Sequence, residues 1–207
     1  MAVASIHPEK TPQYPAIKPG MTGMYIFLAS EVMFFGSLFA VYFYLYGSHI
    51  VWPPPPPTTS EFYVNWYPVP VINTIVLFSS AFTCHFGADA LARDNRRRFY
   101  ILWTATILLG LAFEFGQLYE FISAFGRGMS LTANSFASAF FIMTGFHGAH
   151  VLGGLVLLSL ILYRAAKGQF SSRHHVGVAA VTLYWHFVDV VWFFLFTILY
   201  VGVALFR

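Results

Sequence analysis

Charge is what this sequence has least of. Asp, Glu, Lys and Arg make up 9% of its 207 residues, against roughly 25% in ordinary soluble domains. That shortage excludes a solvated globular domain of the usual kind and points to an integral membrane protein. Cysteine is almost absent: Cys84 stands alone, which rules out an internal disulfide and any cysteine-based zinc or iron–sulfur site. The first 20 residues, MAVASIHPEKTPQYPAIKPG, lack a charged leader followed by a short apolar core, so no cleavable signal peptide is expected. No internal repeat and no soluble domain is visible.

Hydrophobic and aromatic residues fill the space that charge leaves, at 58% and 20% of the chain. A helix needs about 20 apolar residues to cross the hydrocarbon core. Five segments qualify, at roughly 23–47, 68–91, 99–124, 134–163 and 178–205. The fold class read from them is all-α: a polytopic bundle of five transmembrane helices occupying 23–207, preceded by a tail over 1–22. Small residues recur in each span, as with Gly145, Gly148, Gly153 and Gly154 in the fourth. In lipid such residues let helix backbones approach closely, which favours a bundle over separate anchors.

Lys and Arg set the expected orientation. With the N-terminus inside, the inner segments hold Lys10, Lys18, Arg93, Arg96, Arg97, Arg98, Arg164, Lys167 and Arg173. The outer ones hold only Arg127 and Arg207. Positively charged loops stay inside, so an odd number of spans puts the C-terminus outside. The first outer loop, WPPPPPTTSEFYVNWYP, is a stiff polyproline stretch rimmed by the interfacial aromatics Trp52, Trp66 and Tyr67. The second lies between Gly126 and Ser138.

Ionisable side chains are expensive in a bilayer, so each one inside a span raises a functional question. They are Glu31, His85, Glu114, Glu120, His147, His150, His186 and Asp189. At about 1.5 Å rise per residue, Asp189, His150 and Glu114 fall roughly 20 Å from the inner ends of their helices, and Glu31 roughly 12 Å. His147 and His150 are spaced i, i+3, as are His186 and Asp189, which puts each pair on one helix face. A midplane polar layer of Glu114, His147, His150, His186 and Asp189 is the resulting expectation.

Metal chemistry fits these residues badly. A carboxylate-bridged di-iron bundle needs Glu-x-x-His on two helices, and that pattern does not occur. A bis-histidine haem needs facing imidazoles, and no second matched histidine pair is present. Two readings remain. A desolvated carboxyl and a nearby imidazole can exchange a proton near neutral pH; the same side chains can also simply tie helices together. Glu31, in LASEVMFF, is the strongest candidate for proton work. Glu120 lies near the outer end of its helix and could meet water. His174 and His175, beside Arg173, are candidates for a proton-collecting inner surface.

Several stretches resemble one family. MYIFLASEVMFFGSLFAVYF, WPP, VPVINTIVLFSS, GQLYEF, FFIMTGFHGAHVLGG and YWHFVDVVWFFLF occur in order, and together they are similar to subunit III of the haem-copper oxidases. The resemblance spans all five helices, from about Met21 to the C-terminus. It implies a subunit without catalytic residues, metal or cofactor of its own, with haem and copper held by partner subunits. Subunit I would be the direct neighbour, with subunit II and other complex members, membrane lipids including bound phospholipid, and a respiratory supercomplex as further associations. Nucleic acid is not an expected partner. The resemblance also implies support of proton uptake from the inner side and protection of the enzyme during turnover. The family's carbodiimide-reactive carboxylate falls on Glu31, while Glu120, His147, His150, His186 and Asp189 match positions with packing or hydrogen-bonding roles.

Two features depart from the family pattern. Longer members begin with two further helices, so the five seen here resemble the shorter bacterial type, with the bacterial plasma membrane as the expected location. Glu114 stands where the family usually has an apolar residue or Thr, and is expected to be protonated or paired with a histidine of the polar layer. Glu31 and the WPPPPP loop favour a cytochrome c oxidase over a quinol oxidase or a nitric-oxide-reductase-associated relative. An autonomous transporter or proton channel is disfavoured, because repeated halves and broken helix pairs are lacking.

Overall fold

The computed structural model describes residues 19–54, 68–171 and 175–205. His174, Arg173, most of the N-terminal tail and the polyproline run after Pro54 lie outside them. Among the described residues, five helices are long and apolar enough to cross a membrane: α1 (Pro19–Ser48), α2 (Val69–Ala92), α3 (Arg96–Gly126), α4 (Ser135–Ala166) and α5 (Val176–Leu205). Among the described residues there is no strand. The helices extend one to four residues beyond most of the ends expected from hydropathy, because polar residues such as Arg96–Arg98 continue the helix into the interface.

Punctuation residues set the turns. Asn95 caps α3 by accepting the Arg98 N–H at 3.1 Å, and Asn134 caps α4 by accepting from Ala137 at 2.8 Å. Gly128 and Gly168, at φ 84° and 74°, take the left-handed conformation that closes α3 and α4. Such short connections make sequential helices antiparallel neighbours.

The helices are not equivalent. α2 packs most extensively on α3; α5 touches α1, α2 and α4, whereas α1 touches only α4 and α5 among the well-formed contacts. Only 11% of the most apolar stretch of α1 is buried, against 44% for α5, so α5 is the hub and α1 the edge. Hydropathy does not distinguish them, since lipid and protein interior are similarly apolar.

Trp185 explains how the hub is held. A Cβ added at Gly154 would come within 2.6 Å of Trp185 Cζ3, and one at Gly110 within 2.9 Å of Cη2. The indole of α5 therefore occupies space that glycines of α3 and α4 leave open. Its Nε1 donates to Ser80 Oγ of α2 at 2.9 Å, so one side chain joins four helices. Trp103 Nε1 donates to the Leu158 carbonyl at 3.0 Å and Trp192 Nε1 to Thr74 Oγ1 at 2.9 Å. Each of these buried indole N–H groups thus finds an acceptor across a helix seam, as burial in an apolar interior favours.

The last span differs from a plain helix. From Phe196 to Gly202 the backbone widens into a π-helical stretch before a final α turn, Val203–Leu205. Hydropathy carries no sign of it. The stretch presents Leu199 and Tyr200 to the bundle, with Tyr200 against Phe140 and Trp192.

Candidate functional site

The expected polar layer does not assemble as one cluster. The structure divides its members among three places, and only one of them joins a carboxyl to an imidazole by a hydrogen bond.

That place is the seam between α1 and α4. Nε2 of His150 lies 2.9 Å from Oε2 of Glu31, with both side chains less than a fifth exposed. Phe35 packs edge-on to the imidazole at 5.0 Å and Phe34 stacks at 6.1 Å. The Tyr184 hydroxyl of α5 donates to the backbone carbonyl of His150 at 2.9 Å, which steadies this turn of α4.

The second ring nitrogen determines the chemistry. Nδ1 of His150 is 2.6 Å from the carbonyl oxygen of Phe146, one turn earlier. A carbonyl only accepts, so Nδ1 must carry hydrogen. In a neutral imidazole Nε2 is then an acceptor, and Glu31 must be a carboxylic acid to reach it. If His150 is instead an imidazolium, Glu31 is a carboxylate. Either way one proton lies between Nε2 and Oε2 and the pair is neutral overall. Lipid tolerates that arrangement far better than a lone charge.

His147 is elsewhere. Three residues before His150, it is fully buried between Phe113 of α3 and Trp192 of α5, at ring distances of 5.8 and 5.0 Å. Neither of its nitrogens has a hydrogen-bond partner. The shared-face expectation for the two histidines fails here, because i, i+3 positions still diverge by about 60°. At a three-helix junction, that angle is enough to send one ring to α1 and the other into the core.

Glu114 also stays out of the pair. Its carboxyl oxygens would lie 3.8 Å from a Cβ on Gly148 of α4. Oε1 is buried without a partner, and among the described residues no histidine hydrogen-bonds it.

His186 and Asp189 form the third place. Nδ1 and Oδ2 are 3.8 Å apart, an ion-pair distance too long for a hydrogen bond. His186 faces a cleft of about 350 Å³ whose lining includes Tyr25, His85, Asp89 and His175, with the His85 ring 6.0 Å away. His85, noted in the sequence but left out of the expected layer, joins His186 only because α2 packs on α5. No spacing along the chain reveals that. His175 stands at the start of α5, where its Nδ1 donates to the Ser171 carbonyl at 3.3 Å.

Glu120 lies apart from all of these, 9% exposed, accepting from the Tyr200 hydroxyl at 3.4 Å. Among the described residues, no group of three His, Cys, Asp or Glu side chains is placed to hold a metal ion.

Five apolar spans tied by buried indoles, with a carboxyl–imidazole pair at the edge seam, define a polytopic helical membrane protein. The chain belongs to the cytochrome c oxidase subunit III family, whose profile matches residues 8–203. A cytochrome c oxidase subunit 3 of Thermostichus vulcanus is 39% identical over 201 residues, covering 97% of this chain and 93% of the relative. A probable cytochrome c oxidase subunit 3 of Mycobacterium bovis is 40% identical over 191 residues, or 88% and 89%. A cytochrome c oxidase subunit 3 of Aedes aegypti is 38% identical over 183 residues, or 86% of this chain and 67% of the longer relative.

Proposed function

We propose that this subunit III serves its haem-copper oxidase without redox or catalytic residues of its own, by holding a proton at the α1–α4 seam beside the catalytic subunit. The Glu31–His150 pair carries the reading, since its geometry stores one proton in two interconvertible arrangements. The names of the relatives favour cytochrome c as the electron donor of the complex. Subunit I is the neighbour, haem and copper reside in partner subunits, and phospholipid borders the exposed face of α1. The membrane is the bacterial plasma membrane, with the N-terminus inside. The basic cluster at the α2–α3 turn supports that orientation.

Glu31→Gln separates holding from moving a proton. The carboxamide N–H can donate to a neutral His150 Nε2 as the acid does, so assembly is expected to survive. Being unable to release that proton, the variant should show slower proton uptake and a shorter active lifetime during turnover. Unchanged uptake and lifetime in the purified complex would leave Glu31 as a helix tie only.

A further inference from the structure

A second group of buried polar side chains sits near the Arg127 end of α3. Gln117 and Glu120 are spaced i, i+3, and Asn73 of α2 presses its carboxamide onto the α3 backbone at Gly116, where a Cβ would overlap it. Gln117 is 4% exposed and Asn73 5%. Both amide atoms of Gln117 and Nδ2 of Asn73 lack a hydrogen-bond partner. Gln117 and Glu120 both lie beside the Tyr200 hydroxyl, which donates to Glu120 at the long distance of 3.4 Å. Unsatisfied amide groups in an apolar interior are costly, and ordered water is the usual partner that relieves them.

Water can approach one member of this group, Glu120. A cavity of about 210 Å³ reaches Glu120 from the rim formed by Pro68, Val69, Pro70, Tyr119, Ser123 and Arg127, room for several water molecules. The charged and titratable groups facing Glu120 are Arg127, Tyr119 and Tyr200. The adjoining part of α2 supplies only Pro68, Val69, Pro70 and Asn73, and the opening turns of α4 carry no titratable residue.

We propose that Asn73, Gln117, Glu120 and Tyr200 form a water-binding site inside the bundle that exchanges with the aqueous phase at the Arg127 end. Its ligand is water, and bulk solvent thereby reaches the Glu120 carboxyl. The site is independent of the Glu31–His150 pair, being built from α2, α3 and the π-helical end of α5.

Pulsed hydroxyl-radical labelling of the intact oxidase complex tests this, because radicals formed from bound water mark adjacent side chains. Tyr200 is 1% exposed and Trp103 is fully buried, so the protein surface shields both from bulk radicals. Tyr200 should be oxidised several-fold faster than Trp103. After brief mixing into water enriched in heavy oxygen, its product should carry the heavy isotope. Gln117→Leu should lower Tyr200 labelling several-fold while leaving Tyr119 at the rim unchanged. Tyr200 labelling no faster than that of Trp103 overturns the site. Labelling without uptake of heavy oxygen overturns its opening to solvent, and undiminished labelling in Gln117→Leu overturns the part assigned to Gln117.

Discussion

His150 reaches Glu31 with one ring nitrogen at 2.9 Å while its other nitrogen is held by the Phe146 carbonyl at 2.6 Å. That second bond turns a simple contact into a proton site, because it removes every arrangement in which both partners lack the shared proton. It also makes the pair the main polar link between α1 and the bundle.

A double-mutant cycle measures the link. Glu31→Ala and His150→Ala should show a coupling energy of about 1 kcal/mol in the stability of the complex, the usual scale for interhelical hydrogen bonds in membranes. Additive effects would mean that the pair contributes nothing to holding α1.

His147 should behave in the opposite way. Its ring nitrogens are buried without partners, so His147→Leu, of similar volume, removes an unsatisfied polar group. Stability should hold or rise by about 1 kcal/mol, with proton uptake unchanged. A clear loss of uptake would assign the wrong histidine to proton work.

The wedge at Trp185 can be tested from the glycine side. Gly154→Ala places a methyl within 2.6 Å of the indole and should cost about 1–3 kcal/mol through overpacking. Combining it with Trp185→Phe, which removes the atoms in contact, should recover part of that loss in thermal denaturation of the complex.

Gly116 offers a parallel case at the α2–α3 seam. Gly116→Ala overlaps the Asn73 carboxamide, so assembly should fall, and Asn73→Ala in the same chain should restore it. Failure of the second change to rescue would place the strain elsewhere.

Orientation is open to labelling, helped by the burial of Cys84. A membrane-impermeant thiol reagent on intact cells should modify Arg127→Cys and spare Arg97→Cys. The reverse pattern would invert the topology inferred from the basic loops.

The five spans were legible because the cost of placing backbone and charge in hydrocarbon acts locally, residue by residue along the chain. The family motifs were legible in the same way, and Glu31 stood out as a lone acid among apolar and aromatic neighbours. The π-helical stretch at Phe196–Gly202 was not, since its wider turn depends on what Tyr200 and Leu199 pack against. Nor was the separation of His147 from His150, although the two are three residues apart.

The sequence by itself determined an all-helical membrane protein, its spans, its expected sidedness and its family. Tertiary structure alone decided which polar groups meet. Periodicity reports the direction a side chain leaves its own helix but not which helix lies there. In an interior where every surface is apolar, hydropathy cannot choose between neighbours. Glycine notches at 110 and 154, filled by Trp185, make that choice for α3, α4 and α5.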